Sequence, residues 1–142
     1  MRDDMVTLLS GSRYLHYVIR GHSVGWDPVA PTGKWAGKSV MMVNEDNYSD
    51  GHLFPWTYQH LRLGKLVGMP VPGSGTNAVH IKQVNPKLNI GIPQGAVEDV
   101  HGSVMEHVEI EPDVRVANDP LSLQAGQDRQ LARAIDTVLG KK

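Results

Sequence analysis

Ser39-Val40-Met41-Met42-Val43 is a short, almost wholly apolar run with a turn signal on either side. A strand without polar alternation has no face to give to water, so it is expected to be buried on both sides, as in a parallel sheet. A polar turn follows, Asn44 to Gly51, and then a stretch with partial helical spacing that carries Leu53, Phe54, Trp56, Leu61 and Leu63. A second apolar run, residues 65–69, reads as the next strand. Strand, turn, helix and strand in that order make a βαβ unit. Pro55 removes a backbone donor early in the helix, which is expected to start late or bend there.

The rest of the chain surrounds this unit. Residues 3–10 carry Met5, Leu8 and Leu9 at helical spacing, with Gly11 as a stop, and residues 14–19 read as a strand. Periodicity disappears between residues 21 and 37, where two prolines, four glycines and two of the three tryptophans mark a long excursion. After a Pro/Gly/Ser loop at 70–76, short strands are expected at 78–83, 88–93, 103–107 and 114–116. Valine or isoleucine alternates with charge from Val104 to Val116, the pattern of half-buried strand edges. Two helices close the chain. Asp119-Pro120 supplies an N-cap and first residue, Gly126 a stop, and Asp128 the second cap. Leu131, Ile135, Val138 and Leu139 then share one face, ending at Gly140.

Composition excludes several classes of function. The 142 residues hold 14 basic and 15 acidic side chains, and a net charge of −1 gives no footprint for nucleic acid or a membrane surface. No apolar stretch approaches the roughly 18 residues of a membrane span, and the first residues lack the apolar core of a signal peptide. Without cysteine there is no disulfide, thiolate metal site or thiol nucleophile. No cofactor is expected.

Two places carry candidate chemistry. Ser49, in Asn47-Tyr48-Ser49-Asp50-Gly51, lies between the buried strand and the helix. A serine there either caps the helix or stands on a nucleophile elbow, its hydroxyl beside the first helical amides. An α/β-hydrolase is a poor fit, because the chain has too few strands and nothing marks His101 or His107 as a general base. The second place is Glu106-His107-Val108-Glu109-Ile110-Glu111-Pro112-Asp113. Alternation puts Glu106 on the face of Val108 and Ile110, where a carboxylate needs a partner or a purpose. The plain reading is a solvated edge strand. A zinc site drawn from His101, His107 and Glu109 matches no standard ligand spacing.

With these places fixed, the chain resembles the C-terminal half of the catalytic domain of the tail-specific, or C-terminal-processing, serine peptidases, and most of all their tricorn-like branch. Val43-Asn44-Glu45-Asp46-Asn47-Tyr48-Ser49-Asp50-Gly51-His52-Leu53-Phe54 resembles the signature V-N-E-x-x-x-S-D-G-x-x-F. Leu61 to Gly68 is similar to L-x-L-G-K-x-x-G. Glu106 to Asp113, Asn118-Asp119-Pro120 and Asp128 to Leu131 resemble the ending E-x-x-G-V-x-P-D, N-D-P and D-x-Q-L, with Glu109 in place of the glycine. In the loop after Gly68, Pro72-Gly73-Ser74 replaces Trp-Gly-Gly.

The resemblance implies an α/β fold of the ClpP/crotonase kind: a mainly parallel βα core, a small antiparallel part, and residues 1–142 as the C-terminal part of an incomplete catalytic domain. It implies Ser49 as nucleophile, the backbone N–H of Asp50 as an oxyanion donor, and Glu106 as the acid of the catalytic network. The implied partners are a peptide or protein substrate, the upstream half of the domain bearing the base histidine, and further copies in a homo-oligomer. Alone, the chain is expected to be inactive. His16 and His22 fall in the wrong motif to replace the base. The resemblance leans towards the cytoplasm but leaves the compartment open. Two rivals remain: a non-catalytic interaction module using Trp26, Trp35 and Trp56, and a crotonase-type enzyme acting on acyl-thioesters.

Overall fold

The computed structural model describes residues 2–9, 16–21, 35 and 37–141. In chain order its elements are α1 (Arg2–Leu9), β1 (His16–Ile19), β2 (Val40–Val43), α2 (Asp50–His60) and β3 (Lys65–Gly68). They continue with β4 (Thr76–Lys82), β5 (Asn89–Glu98), β6 (Val114–Arg115), α3 (Pro120–Gln124) and α4 (Arg129–Leu139). The mixed α/β expectation holds, with one parallel and one small antiparallel sheet. Strands β2-β3-β6 form the parallel sheet and β1-β5-β4 the antiparallel one. The βαβ unit stands in register, Val40 opposite Lys65 through Val43 opposite Gly68.

Helix α2 joins the two layers. Its Leu53 packs with Val6, Tyr17, Val97 and Met105, and its Tyr58 with Val43, Leu66, Val71 and Ile110. Trp56 touches both clusters. Burying each such large side chain contributes about 1.5–3 kcal/mol, so the helix bearing the candidate serine is fixed from both sides.

Burial on both faces belongs to β3, where Leu66, Val67 and Gly68 are buried, and not to β2, where Met42 stays 39% exposed. The reason is strand order: β3 has a neighbour on each side, while among the described residues β2 is an edge.

The expected strand at 103–107 shrinks to an isolated bridge between Glu98 and Val104. The carboxylate of Asp99 accepts the N–H groups of His101 and Ser103 and folds that segment into a turn. His107 then adopts φ 61°, which breaks the alternation expected through Glu106. Met105 and Ile110 are buried all the same, and Glu106 is half-buried.

Helix α4 is capped as expected, Asp128 accepting the N–H of Leu131, with Gly140 left-handed at its end. Its buried residues, however, are Gln130 and Ala134, while Leu131, Ile135 and Leu139 are exposed. Polar contacts set its rotation. Asn118 accepts the N–H groups of Arg129 and Gln130 and donates to Asp128, and Gln130 donates to the carbonyl of Val116. Leu131, Ile135 and Leu139 of the apolar stripe are thereby turned outward, while Val138 stays half-buried. Trp56 is not an exposed binding residue: it stacks on His60 at 4.6 Å between the two core clusters. Trp26 and His22 lie outside the described residues.

Candidate active site

The turn that carries Ser49 is built by two asparagines. The N–H of Asn47 bonds to the carbonyl of Asn44, Asn44 N–H returns to Asn47 Oδ1, and Asp46 N–H reaches Asn44 Oδ1. Asn47 has a second task. Pro55 has no N–H for the carbonyl of Gly51, four residues earlier, so that acceptor would be left open. Asn47 Nδ2 donates to it at 2.8 Å, and α2 starts at Asp50 and runs through Pro55.

Ser49 occupies the N-cap position of α2 but makes no side-chain cap hydrogen bond. Its backbone stands at φ 55°, ψ −115°, a conformation that costs a non-glycine residue about 1–3 kcal/mol. The geometry therefore disfavours the capping role left open by the sequence. Ser49 is exposed, and Asp50 is the first residue of α2, at the positive end of the helix dipole.

The segment following Val71 is hydrogen-bonded to both Ser49 and Glu106. A Cβ on Gly73 would lie 2.3 Å from the backbone nitrogen of Val108, and one on Gly75 would lie 2.9 Å from Met105, so only glycines let this strap lie so close. Ser49 N–H donates to Ser74 Oγ at 2.9 Å. Gly75 N–H and the Thr76 hydroxyl both donate to Glu106 Oε2, at 2.8 and 2.6 Å. The Thr76 hydrogen bond, with help from Gly75 and the charge of His107, holds the Glu106 carboxyl below its usual value against a smaller opposing effect of desolvation. Glu106 is an anion at neutral pH.

The acid segment is tied to α2 as well. A carbonyl can only accept, so His52 Nε2 carries the proton it shares with Val108 O at 2.7 Å. The other ring nitrogen, Nδ1, is buried without a partner. Farther along the helix Gln59 donates to the carbonyl of Glu111. Two residues far apart in sequence, Ser49 and Glu106, thus meet the same three-residue strap.

The remaining candidates do not join them. His101 lies edge-on to His60, at the opposite end of α2, and His107 and Glu109 are exposed. Among the described residues no three His, Asp or Glu side chains gather around a point that could hold a metal. His16 is a strand residue opposite Glu98. Asp113, Asn118, Asp119 and Asp128 of the later motifs serve as structural acceptors: Asp113 takes the N–H of Leu66, and Asp119 caps α3. Sequence reasoning missed Ser74, Thr76, His52 and the second task of Asn47. Of these only the last left a signal, a proline four residues after Gly51.

The profile of peptidase family S41 matches residues 10–116. The chain belongs to this family. Over 111 residues it is 29% identical to the tricorn protease of Thermoplasma acidophilum, a match covering 77% of this chain and 10% of that protein. The crystal structure of the tricorn protease superposes with a TM-score of 0.71 at 22% identity, over 97% of this chain and 13% of the other. The photosystem II D1 C-terminal processing protease gives a TM-score of 0.62 at 14% identity, over 82% of this chain and 30% of that one. These superpositions establish the S41 peptidase fold. The chain spans about a tenth of the length of the curated tricorn relatives it matches. Among its described residues no helix is long and apolar enough to cross a membrane.

Proposed function

We propose that this S41 chain carries the nucleophile and acid of a serine peptidase that hydrolyses peptide bonds through an acyl-enzyme on Ser49. The observation that carries the reading is that the strained, non-capping Ser49 and the carboxylate of Glu106 are both hydrogen-bonded to one strap, residues 74–76.

In this reading Ser49 Oγ attacks the scissile carbonyl and loses its proton to a histidine base. Oxyanion charge is met by the Asp50 N–H and by a second donor. The base returns the proton to the departing amine, and water then releases the acyl group by the same steps reversed. Glu106 holds and compensates the imidazolium. The Gly75 N–H and the Thr76 hydroxyl fix the carboxylate through Oε2. Among the described residues no histidine nitrogen is hydrogen-bonded to Ser49 or Glu106. In this reading, which the short span on the tricorn relatives supports, residues 1–142 are the C-terminal part of the catalytic domain, and the base and second oxyanion donor come from an upstream part. The substrate is a peptide or protein, and the chain alone is inactive. The exposed Leu131, Ile135 and Leu139 stripe of α4 supports self-association, which light scattering reads directly.

A fluorophosphonate probe tests the assignment. The isolated chain is expected to stay unlabelled. Joined to its base-bearing region it is expected to label at Ser49 and cleave peptides, and Ser49→Ala abolishes both. Glu106→Gln in the completed protein lowers turnover by roughly 10²–10⁴, as loss of the orienting acid does in such triads. Peptide cleavage that survives Ser49→Ala overturns the assignment.

A further inference from the structure

We propose that Ser74 is a positioning residue that sets the backbone of Ser49, and through it the rate at which Ser49 is acylated. The second half of that role presupposes the peptidase reading of Ser49; the first half does not.

A residue at φ 55°, ψ −115° stays there only if its surroundings over-determine it. On its carbonyl side Ser49 is held by α2, through the N–H groups of His52 at 2.9 Å and Leu53 at 3.1 Å. On its amide side it is held by Ser74 Oγ at 2.9 Å. With both peptide groups held, φ and ψ are fixed together. Any residue at position 74 without an oxygen on Cβ leaves the amide side loose.

Ser74 is itself a fixed point. Gly73 and Gly75 on either side press against the backbone of residues 105–108, closer than a Cβ would allow. One residue on, Gly75 N–H holds Glu106. A single strap therefore registers the nucleophile against the acid, and a shift of about 1 Å between such groups costs on the order of 10²-fold in rate. The contact also commits the amide of Ser49. In other serine hydrolases the nucleophile's own N–H can face the oxyanion; here it faces Ser74, so oxyanion stabilisation falls to other donors.

The test compares Ser74→Ala with Ser74→Thr, which keeps the hydroxyl. In the full chain, amide hydrogen exchange at Ser49 is expected to accelerate up to about tenfold in Ser74→Ala, the loss of one ordinary hydrogen bond. It returns to within about twofold in Ser74→Thr, while β3 amides are unchanged in both. In the protein completed with its base-bearing region, Ser74→Ala slows the first-order step of fluorophosphonate labelling by about tenfold. The half-saturating probe concentration stays constant, and Ser74→Thr restores the rate. Unaltered exchange at Ser49 in Ser74→Ala overturns the tether whatever the labelling shows. Altered exchange with unchanged labelling rate overturns the catalytic half. Altered exchange without any labelling of the unsubstituted completed protein refutes the peptidase reading and leaves the tether standing.

Discussion

The hydroxyl of Thr76 donates to Oε2 of Glu106 at 2.6 Å and is the largest single reason that this carboxyl titrates low. A carboxyl depressed in the folded state contributes stability that is present above its unfolded value and is lost as pH falls through the folded one. Thr76→Val removes the donor. The Glu106 carboxyl is expected to move up towards the ordinary glutamate range in a carboxyl-detected NMR titration. Stability should then change less steeply with pH below that range than in the parent chain. An unmoved titration would show that Thr76 does not control the acid.

Ser49 pays a conformational cost that glycine would not. Ser49→Gly is expected to raise unfolding stability by about 1 kcal/mol in denaturant titration, the lower end of the strain at such a backbone. It should also abolish labelling in the completed peptidase. A destabilised variant would mean that the Ser49 side chain supports the fold.

Gly73 lies where a Cβ would meet backbone atoms of His107 and Val108, at 2.3 to 2.6 Å. Backbone cannot rotate out of the way, so Gly73→Ala is expected to destabilise the chain by roughly 1–3 kcal/mol, as over-packing does in a close-packed interior. The shift should loosen Ser74 as well, so faster exchange at the Ser49 amide is expected alongside a lower denaturation midpoint. A variant as stable as the parent would count against the close strap.

Asn47 compensates for Pro55 through the carbonyl of Gly51. Asn47→Ala is expected to cost about 1–3 kcal/mol by leaving that half-buried acceptor without a donor. Restoring the helical donor removes the need for Asn47, so the same change in a Pro55→Ala background should cost less. A double-mutant cycle checks this; strict additivity would refute the coupling.

The sequence by itself determined the βαβ unit, because an apolar strand, a polar turn and a helix-spaced stretch leave few other arrangements. It also determined the caps at Asp119 and Asp128, whose acceptors lie within a turn of the amides they satisfy. Ser49 and Glu106 were legible as unusual residues, one by its place at a strand-to-helix junction and the other by a carboxylate among apolar neighbours. Their relation was not. It depends on Ser74, Gly75 and Thr76, which read in sequence as an ordinary loop, and on a turn at Asp99 and a left-handed His107 that overrode the expected strand. The outward turn of Leu131, Ile135 and Leu139 on α4 was likewise decided by hydrogen bonds to Asn118 and Val116. Local periodicity records which residues tend to be buried, but only the packed chain settles which distant donors reach them, since hydrogen bonds between remote segments leave no period in the sequence.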